Sequence, residues 1–238
     1  MATSANGRLR VVSFNIQHGQ RGDATGVDIA LTGSVVAALK PDVLALQEVD
    51  VGVPRSAMVD EAAEVAAACG LDHLFAPATA VGGVGRYGNA LCVRGSLDAP
   101  EVRRLPRRRF RSEPRSVGIA RVRVDDVTVT VAATHLSIHR EEVFDQLRAC
   151  VSWLVARPGP WVLVGDLNLL PDEVVPTVEG AGLTLADTSV PTFPAASPRI
   201  RIDHVAVGGG LRIAAIDVAE TPASDHRPLV VDLDVVES

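Results

Sequence analysis

The sequence predicts an α/β fold in which a mixed sheet, or a pair of sheets, carries helices on the outside. Three observations support this. Short apolar runs of strand length recur along the whole 238-residue chain. Segments with helical spacing separate some of these runs. Near 118–133 and 204–235 one run follows another directly, and this fits a mixed sheet better than a purely parallel one built on helical crossovers.

Taken in order, 9–14 reads as the first strand and 27–39 as the first helix. Lys40-Pro41 ends that helix, because the proline ring disfavours helical geometry in the residue before it. A strand at 43–46 precedes a helix at 58–69, which Gly70 closes as a left-handed cap. Strands follow at 90–94, 118–124 and 127–133, the last two joined by a tight turn at Asp125-Asp126. A helix at 141–156, a strand at 161–164 and a helix at 173–180 lead to strands at 204–207, 212–218 and 229–235. The longest irregular stretches are 77–88, 103–116 and 186–200, and long loops in compact domains are often functional.

A single domain spanning 1–238 is expected, with 1–7 as a flexible lead-in. The chain is 47% hydrophobic and 22% charged, which suits a large core. Its formal net charge of −6 argues against gripping a polyanion through overall charge, although a local basic patch remains compatible with it. Cys69, Cys92 and Cys150 are odd in number and widely spaced, so they give neither a disulfide framework nor a zinc signature. They read as buried apolar residues in a reducing compartment. Residues 1–10 lack an apolar segment of signal-peptide length, and no run reaches the roughly 18 apolar residues of a membrane span. A cytoplasmic location is expected by default.

The polar residues fall in one pattern. The strand at 9–14 ends in Asn15, the one at 43–46 in Gln47 and Glu48, and the one at 127–133 in Thr134 and His135. The strand at 161–164 ends in Gly165, Asp166 and Asn168. Ser224, Asp225 and His226 precede the last strand, which, if antiparallel, starts at the rim where the others finish. Ligands in open α/β folds bind at such a rim. There Glu48, Asp166, Asp203 and Asp225 would crowd together. Two like charges about 4 Å apart repel by about 4 kcal/mol at an effective dielectric of 20. A cation would relieve this, and an all-oxygen donor set suits a hard ion such as Mg²⁺ or Mn²⁺.

The segments FNIQHG (14–19), LQEVD (46–50), RYGNAL (86–91), EPRS (113–116), THL (134–136), GDLN (165–168), RIDHV (201–205) and SDHRP (224–228) stand in an order that resembles the signature of the endonuclease/exonuclease/phosphatase superfamily. GDLN or THL alone is weak, whereas the ordered set spans nearly the whole chain. The resemblance implies a four-layer α/β/β/α sandwich with two mixed sheets packed face to face. It also implies in-line hydrolysis of a phosphoester by metal-activated water, with the substrate left open among nucleic acids, lipid headgroups and small phosphoesters.

Residue by residue, the resemblance assigns Glu48 as the principal metal ligand, supported by Asn15 and completed or neighboured by Asp225. It assigns Asp166 to the attacking water and Asn168 to a phosphate oxygen. His226 contacts the phosphate with Asp203 orienting its ring, and His135 lies at the phosphate or the leaving oxygen. Some nucleases pair this second histidine with a glutamate. The RYGNAL segment offers only Asn89, so a general-acid role for His135 stays open. Arg115 is expected to contact the phosphate or brace the site, and Arg86, Tyr87 and Asn89 to line the pocket from a glycine-rich loop. Arg55 and Phe193 are weaker candidates for the same surroundings. Gln17 departs from the acid that many nucleases carry two residues after the strand-end Asn, which argues against a second tightly held metal; His18 is the alternative donor.

Arg103, Arg104, Arg107, Arg108, Arg109 and Arg111 crowd one stretch and are the main sequence argument for a nucleic-acid substrate. Only Phe110 is interleaved with them, whereas single-strand binders stack bases on aromatics. Two other classes stay open: a non-catalytic binding module on the same fold, and a zinc hydrolase using some of the six histidines, among which His135 and His139 have the i, i+4 spacing of helical zinc ligands.

Overall fold

The computed structural model describes residues 7–236, so most of the expected lead-in at 1–7 lies outside the described residues. The strands are β1 (Arg8–Asn15), β2 (Val43–Val51), β3 (Asp72–Val81), β4 (Gly85–Val93), β5 (Ser96–Arg104), β6 (Ser116–Val124), β7 (Val127–His135), β8 (Trp161–Asp166), β9 (Thr184–Leu185), β10 (Asp203–Gly208), β11 (Leu211–Val218) and β12 (Leu229–Val235). The helices are α1 (Ile29–Leu39), α2 (Glu61–Cys69), α3 (Arg140–Val155) and α4 (Pro171–Glu179).

They form two six-stranded sheets, ordered β11-β12-β1-β2-β4-β3 and β5-β6-β7-β8-β10-β9. Each is mixed: β1 with β2 and β7 with β8 run parallel, and the remaining pairs antiparallel. The four-layer sandwich follows from strand alternation. Leu9, Val11, Val43 and Val131 point between the sheets, while Val12, Phe14 and Leu44 point outward beneath α1 and α2. Val117, Ile119 and Ala132 meet α3 and α4 on the other side. A central strand buried on both faces needs no polar residue, so these strands read as continuous apolar runs.

Strands β3, β5 and β9 carry no such run and were not expected from the sequence. Each lies at a sheet edge, where one side meets solvent and polar residues or proline are tolerated. Two boundaries shift as a result. Most of 77–88 is hairpin, with Pro77↔Gly88 and Val81↔Gly85 as paired positions, and Arg103 and Arg104 lie in β5.

The turn signals hold. Val124 pairs with Val127 across Asp125 at φ 51°, Lys40 ends α1 at φ 52°, and Gly70 ends α2 at φ 65°. Gly165 tolerates no side chain: at φ 149°, a Cβ would lie 1.9 Å from the Thr134 carbonyl oxygen. That close approach of β7 to β8 sets His135 and Asp166 side by side. Among the described residues no helix is long and apolar enough to cross a membrane.

Candidate active site

Both sheets deliver polar groups to one rim. Asn15 ends β1, His135 ends β7, Asp166 ends β8, Asp203 begins β10, and Asp225 and His226 precede β12. Glu48 arrives differently. β2 does not stop at Leu46 but continues through a bulge, pairing Leu46 with Ala90 and Val49 with Gly88, so that two residues face one. The bulge places Glu48 at φ 59°, a costly conformation for a residue with a side chain, and turns its carboxylate toward the rim.

The side chains then form a line across the sandwich. Asp203 Oδ2 lies 3.0 Å from His226 Nδ1, and His226 Nε2 lies 3.8 Å from Asp166 Oδ2. His135 Nε2 lies 3.4 Å from the same Asp166 oxygen, and Arg115 is 2.8 Å from His135 Nδ1. The Asn15 amide joins this line to Glu48, donating to Asp166 Oδ2 at 3.1 Å and to Glu48 Oε1 at 3.2 Å. Its own oxygen accepts the Gln17 N–H, so Asn15 as placed holds the two carboxylates in position. Ser224 Oγ donates to the Asn15 carbonyl and lies 3.4 Å from Asp225, tying Asp225 to the same cluster.

Asn168 follows Asp166 in a turn and not in extended strand. The chain turns at φ 51°, the Asn168 N–H donates to Asp166 Oδ1, and its amide donates to the Leu136 carbonyl. Asn168 thus fixes Asp166 and reaches the His135 turn with its side chain.

Burial dominates the electrostatics. It raises the Asp166 carboxyl to about 7, helped by the Asp203 charge. Burial alone would lower His226, but Asp203, Asp166 and Asp225 outweigh it and hold the imidazole charged, with its pKa near 10. Asp225 is raised by burial, with the Glu48 charge adding to the effect. Asp166, Asp203 and His226 each offer an atom within 4.8 Å of one another, a spacing a metal could bridge. Both nitrogens of the charged His226 already face carboxylates, so these three form an ion-pair line rather than a metal cage. Glu48 and Asp225 remain as oxygen donors whose mutual repulsion a hard divalent ion would relieve.

His135 has its tautomer fixed by its partner. A guanidinium donates and never accepts, so the Arg115 contact makes Nδ1 the acceptor and leaves the proton on Nε2, facing Asp166. Burial, then the Arg115 charge, holds the ring well below its ordinary pKa and hence neutral. Where a glutamate would hold this histidine charged, Arg115 holds it as a neutral donor. In ¹⁵N NMR spectra across pH 6–8, the shift expected at His135 is that of a neutral, Nε2-protonated ring. An imidazolium signal near pH 7 would contradict the assignment.

Several sequence candidates lie elsewhere. Tyr87 is buried beside Glu48, but its strand neighbour Arg86 faces the opposite side of β4, lining a separate groove with Pro77 and Arg104. Asn89 donates to the Ser116 carbonyl and braces β4 against β6. These three residues lie on β4 and not on a loop, because the glycines among them permit close strand pairing. Three of the six clustered arginines are ion-paired among the described residues. Arg103 pairs with Glu101, Arg108 with Asp145 and Arg109 with Glu141, and Glu142 accepts the Arg108 and Arg109 backbone N–H groups. Acids on α3, distant in sequence, thus pin the stretch down. His135 ends β7 and His139 precedes α3, so their spacing forms no helical zinc pair.

Sequence reasoning missed a buried acid layer behind the rim. Asp50 accepts a bidentate pair from Arg55, and Glu61 accepts the Asp50 N–H at 2.7 Å. Charge at the end of an apolar strand and at a helix start was the available signal. Phe193 packs on His226 at 4.7 Å between ring centroids. Burial lifts Glu61 to about 8 from an unfolded value of 4.5. A raised acid binds its proton only when folded, so stability is full below pH 4.5 and declines toward pH 8. Glu61→Gln removes this slope, and its advantage over wild type, on the order of a few kcal/mol at pH 8, should shrink as pH falls to 5. Equal melting-temperature differences at both pH values would contradict this.

The model of the Endonuclease/Exonuclease/phosphatase family matches residues 12–226. Among curated proteins, none matches the chain in sequence. A solved endonuclease/exonuclease/phosphatase from Beutenbergia cavernae is 26% identical with a TM-score of 0.82, covering 96% of this chain and 72% of that one. A Bacteroides thetaiotaomicron mannosyl-6-phosphatase is 16% identical with a TM-score of 0.77, covering 94% and 99%. The human Nocturnin catalytic domain, with bound sulfate, is 18% identical with a TM-score of 0.71, covering 99% and 96%.

Proposed function

The chain belongs to the endonuclease/exonuclease/phosphatase family, and from that premise we propose that it hydrolyses phosphoesters using a bound Mg²⁺ or Mn²⁺ ion. The observation that carries this reading is the unbroken line from Asp203 through His226 to Asp166, joined by Asn15 to Glu48. Glu48 and Asp225 would hold the ion, with Asn15 steadying Glu48. When bound, it supplies Lewis-acid polarisation of a phosphoryl oxygen and offsets developing negative charge.

The chain's own residues supply the rest. Asp166, raised to about 7, suits accepting a proton from an attacking water near neutral pH. The Asn15 amide donates to its Oδ2 at 3.1 Å, and the His135 and His226 Nε2 atoms face the same oxygen at 3.4 and 3.8 Å. His226, kept charged by Asp203, places a positive donor where phosphate charge accumulates. His135 offers a neutral N–H and no spare proton, so departure of the leaving oxygen draws no protonation from it. Such a site favours leaving groups that depart readily or are stabilised by other means.

The ion pairs of Arg103, Arg108 and Arg109, with Phe110 alone as an aromatic among the clustered arginines, support a small phosphoester over a nucleic acid. The test is a panel of p-nitrophenyl phosphate, bis-p-nitrophenyl phosphate, sugar phosphates, supercoiled plasmid and RNA, each assayed with Mg²⁺ and with Mn²⁺. Turnover of a small ester with intact plasmid and RNA is expected. Cleavage of nucleic acid alone would select the nuclease alternative, and no turnover at all would favour the binding module.

A further inference from the structure

A cleft of about 280 Å³ opens beside Glu48, lined by His18, Arg55, Thr79, Tyr87, Glu113 and Arg115. Its volume falls just below the roughly 300–1,000 Å³ of drug-sized sites, so it has room for a single ring rather than a polymer. Two of its polar atoms, Arg115 Nε and His18 Nδ1, are buried without any protein partner. Buried polar groups are ordinarily satisfied, and an orphan pair bordering one cleft points to a ligand that completes it.

The lining fixes the chemistry of that ligand. Arg55 and Arg115 keep donors beyond their pairs with Asp50 and Glu113, Glu113 keeps acceptor sites beside its 2.9 Å pair with Arg115, and Thr79 and Tyr87 both donate and accept. A second phosphate would meet the carboxylates, an ammonium group would meet the guanidiniums, and an acyl chain would strand all of them. The Arg55 guanidinium lies over the Tyr87 ring at 5.6 Å, so that face is closed to a stacked base. Hydroxyl groups both donate and accept from a single atom, and so match such a wall at every position. We propose that this cleft binds a hydroxyl-rich substituent of the substrate, a sugar or polyol bearing the scissile phosphate. This rests on the phosphoesterase reading of the adjoining site.

Arg55 is unsuited to a test, because its loss would leave the buried Asp50 carboxylate unpaired. Thr79→Val keeps shape and deletes a hydroxyl; Glu113→Gln deletes a charge. Binding of myo-inositol 1-phosphate, glucose 6-phosphate, phenyl phosphate and inorganic phosphate is measured by calorimetry on Asp166→Asn protein with Mn²⁺. The two polyol phosphates should bind about tenfold more tightly than inorganic phosphate, as one or two hydrogen bonds to charged groups allow. Phenyl phosphate should gain nothing over inorganic phosphate, and in each variant background the polyol advantage should fall by about threefold or more. Phenyl phosphate binding as tightly as the polyol phosphates, polyol phosphates failing to bind, or an advantage unchanged in both variants overturns the proposal. Loss of the phosphoesterase reading would show instead as absent turnover by wild type, whatever the affinity order.

Discussion

Asp166→Asn is expected to lower kcat by about a thousandfold on any ester the protein turns over, within the range attributed to a positioned acid or base. The Asn15 amide donates to one carboxylate oxygen, with the His135 and His226 rings facing it at 3.4 and 3.8 Å, and the Asn168 backbone N–H holds the other, so the carboxylate is fixed in place for a water. An amide keeps the volume and can still present an oxygen to those donors, but it takes up no proton near neutral pH. The fold should survive, because the substitution removes a buried charge that Asp203 and burial already disfavour. Phosphate release and differential scanning calorimetry together read this. Retention of more than about a tenth of the rate would remove Asp166 from the base role.

His226→Ala should damage both stability and rate. The charged ring lies between Asp203 and Asp166 in a buried line, and taking it away leaves carboxylates with no counter-charge. Breaking a buried pair by deleting one partner costs about 3–5 kcal/mol, which in a chain of this size lowers Tm by roughly 10 °C. The pH dependence has a definite sign. The folded pKa near 10 exceeds the ordinary 6.5, so the contribution is full below pH 6.5 and fades as pH rises through 10. The Tm deficit should therefore be largest in mildly acidic buffer. Adding Asp203→Asn to His226→Ala should recover part of the lost stability by removing one stranded charge. The rate should fall by about a hundredfold or more through loss of the phosphate-facing donor. A Tm unchanged by His226→Ala would mean that the line carries no net charge pairing.

Much of this was legible in the sequence because central strands and their ends are chemically distinct. Phe14-Asn15, Val164-Gly165-Asp166 and Ser224-Asp225-His226 each pass from core to rim within a few residues, and the rim is where the structure gathers them. Edge strands β3 and β5 were not legible, since half their side chains face solvent and carry no apolar run. Nor was the bulge at Glu48: two residues opposing one is a property of pairing, invisible in a single strand. The ion pairs within the arginine cluster were not legible for a related reason. The acids on α3 that pair with Arg108 and Arg109 lie more than 30 positions away, as with the 37-residue separation of Arg108 and Asp145. The Arg115–His135 contact was likewise beyond sequence reasoning, because a motif names residue types and not which nitrogen meets which.

The central claim is that the Glu48 and Asp225 carboxylates require a hard divalent ion for phosphoester hydrolysis. Its most direct test is turnover of p-nitrophenyl phosphate and bis-p-nitrophenyl phosphate by chelator-treated protein, before and after Mg²⁺ or Mn²⁺ is added back, with Glu48→Gln in parallel. Treated wild type should be inactive, either ion should restore it, and Glu48→Gln should need about tenfold more ion or more. Full activity after chelation, or restoration by Zn²⁺ alone, would contradict it.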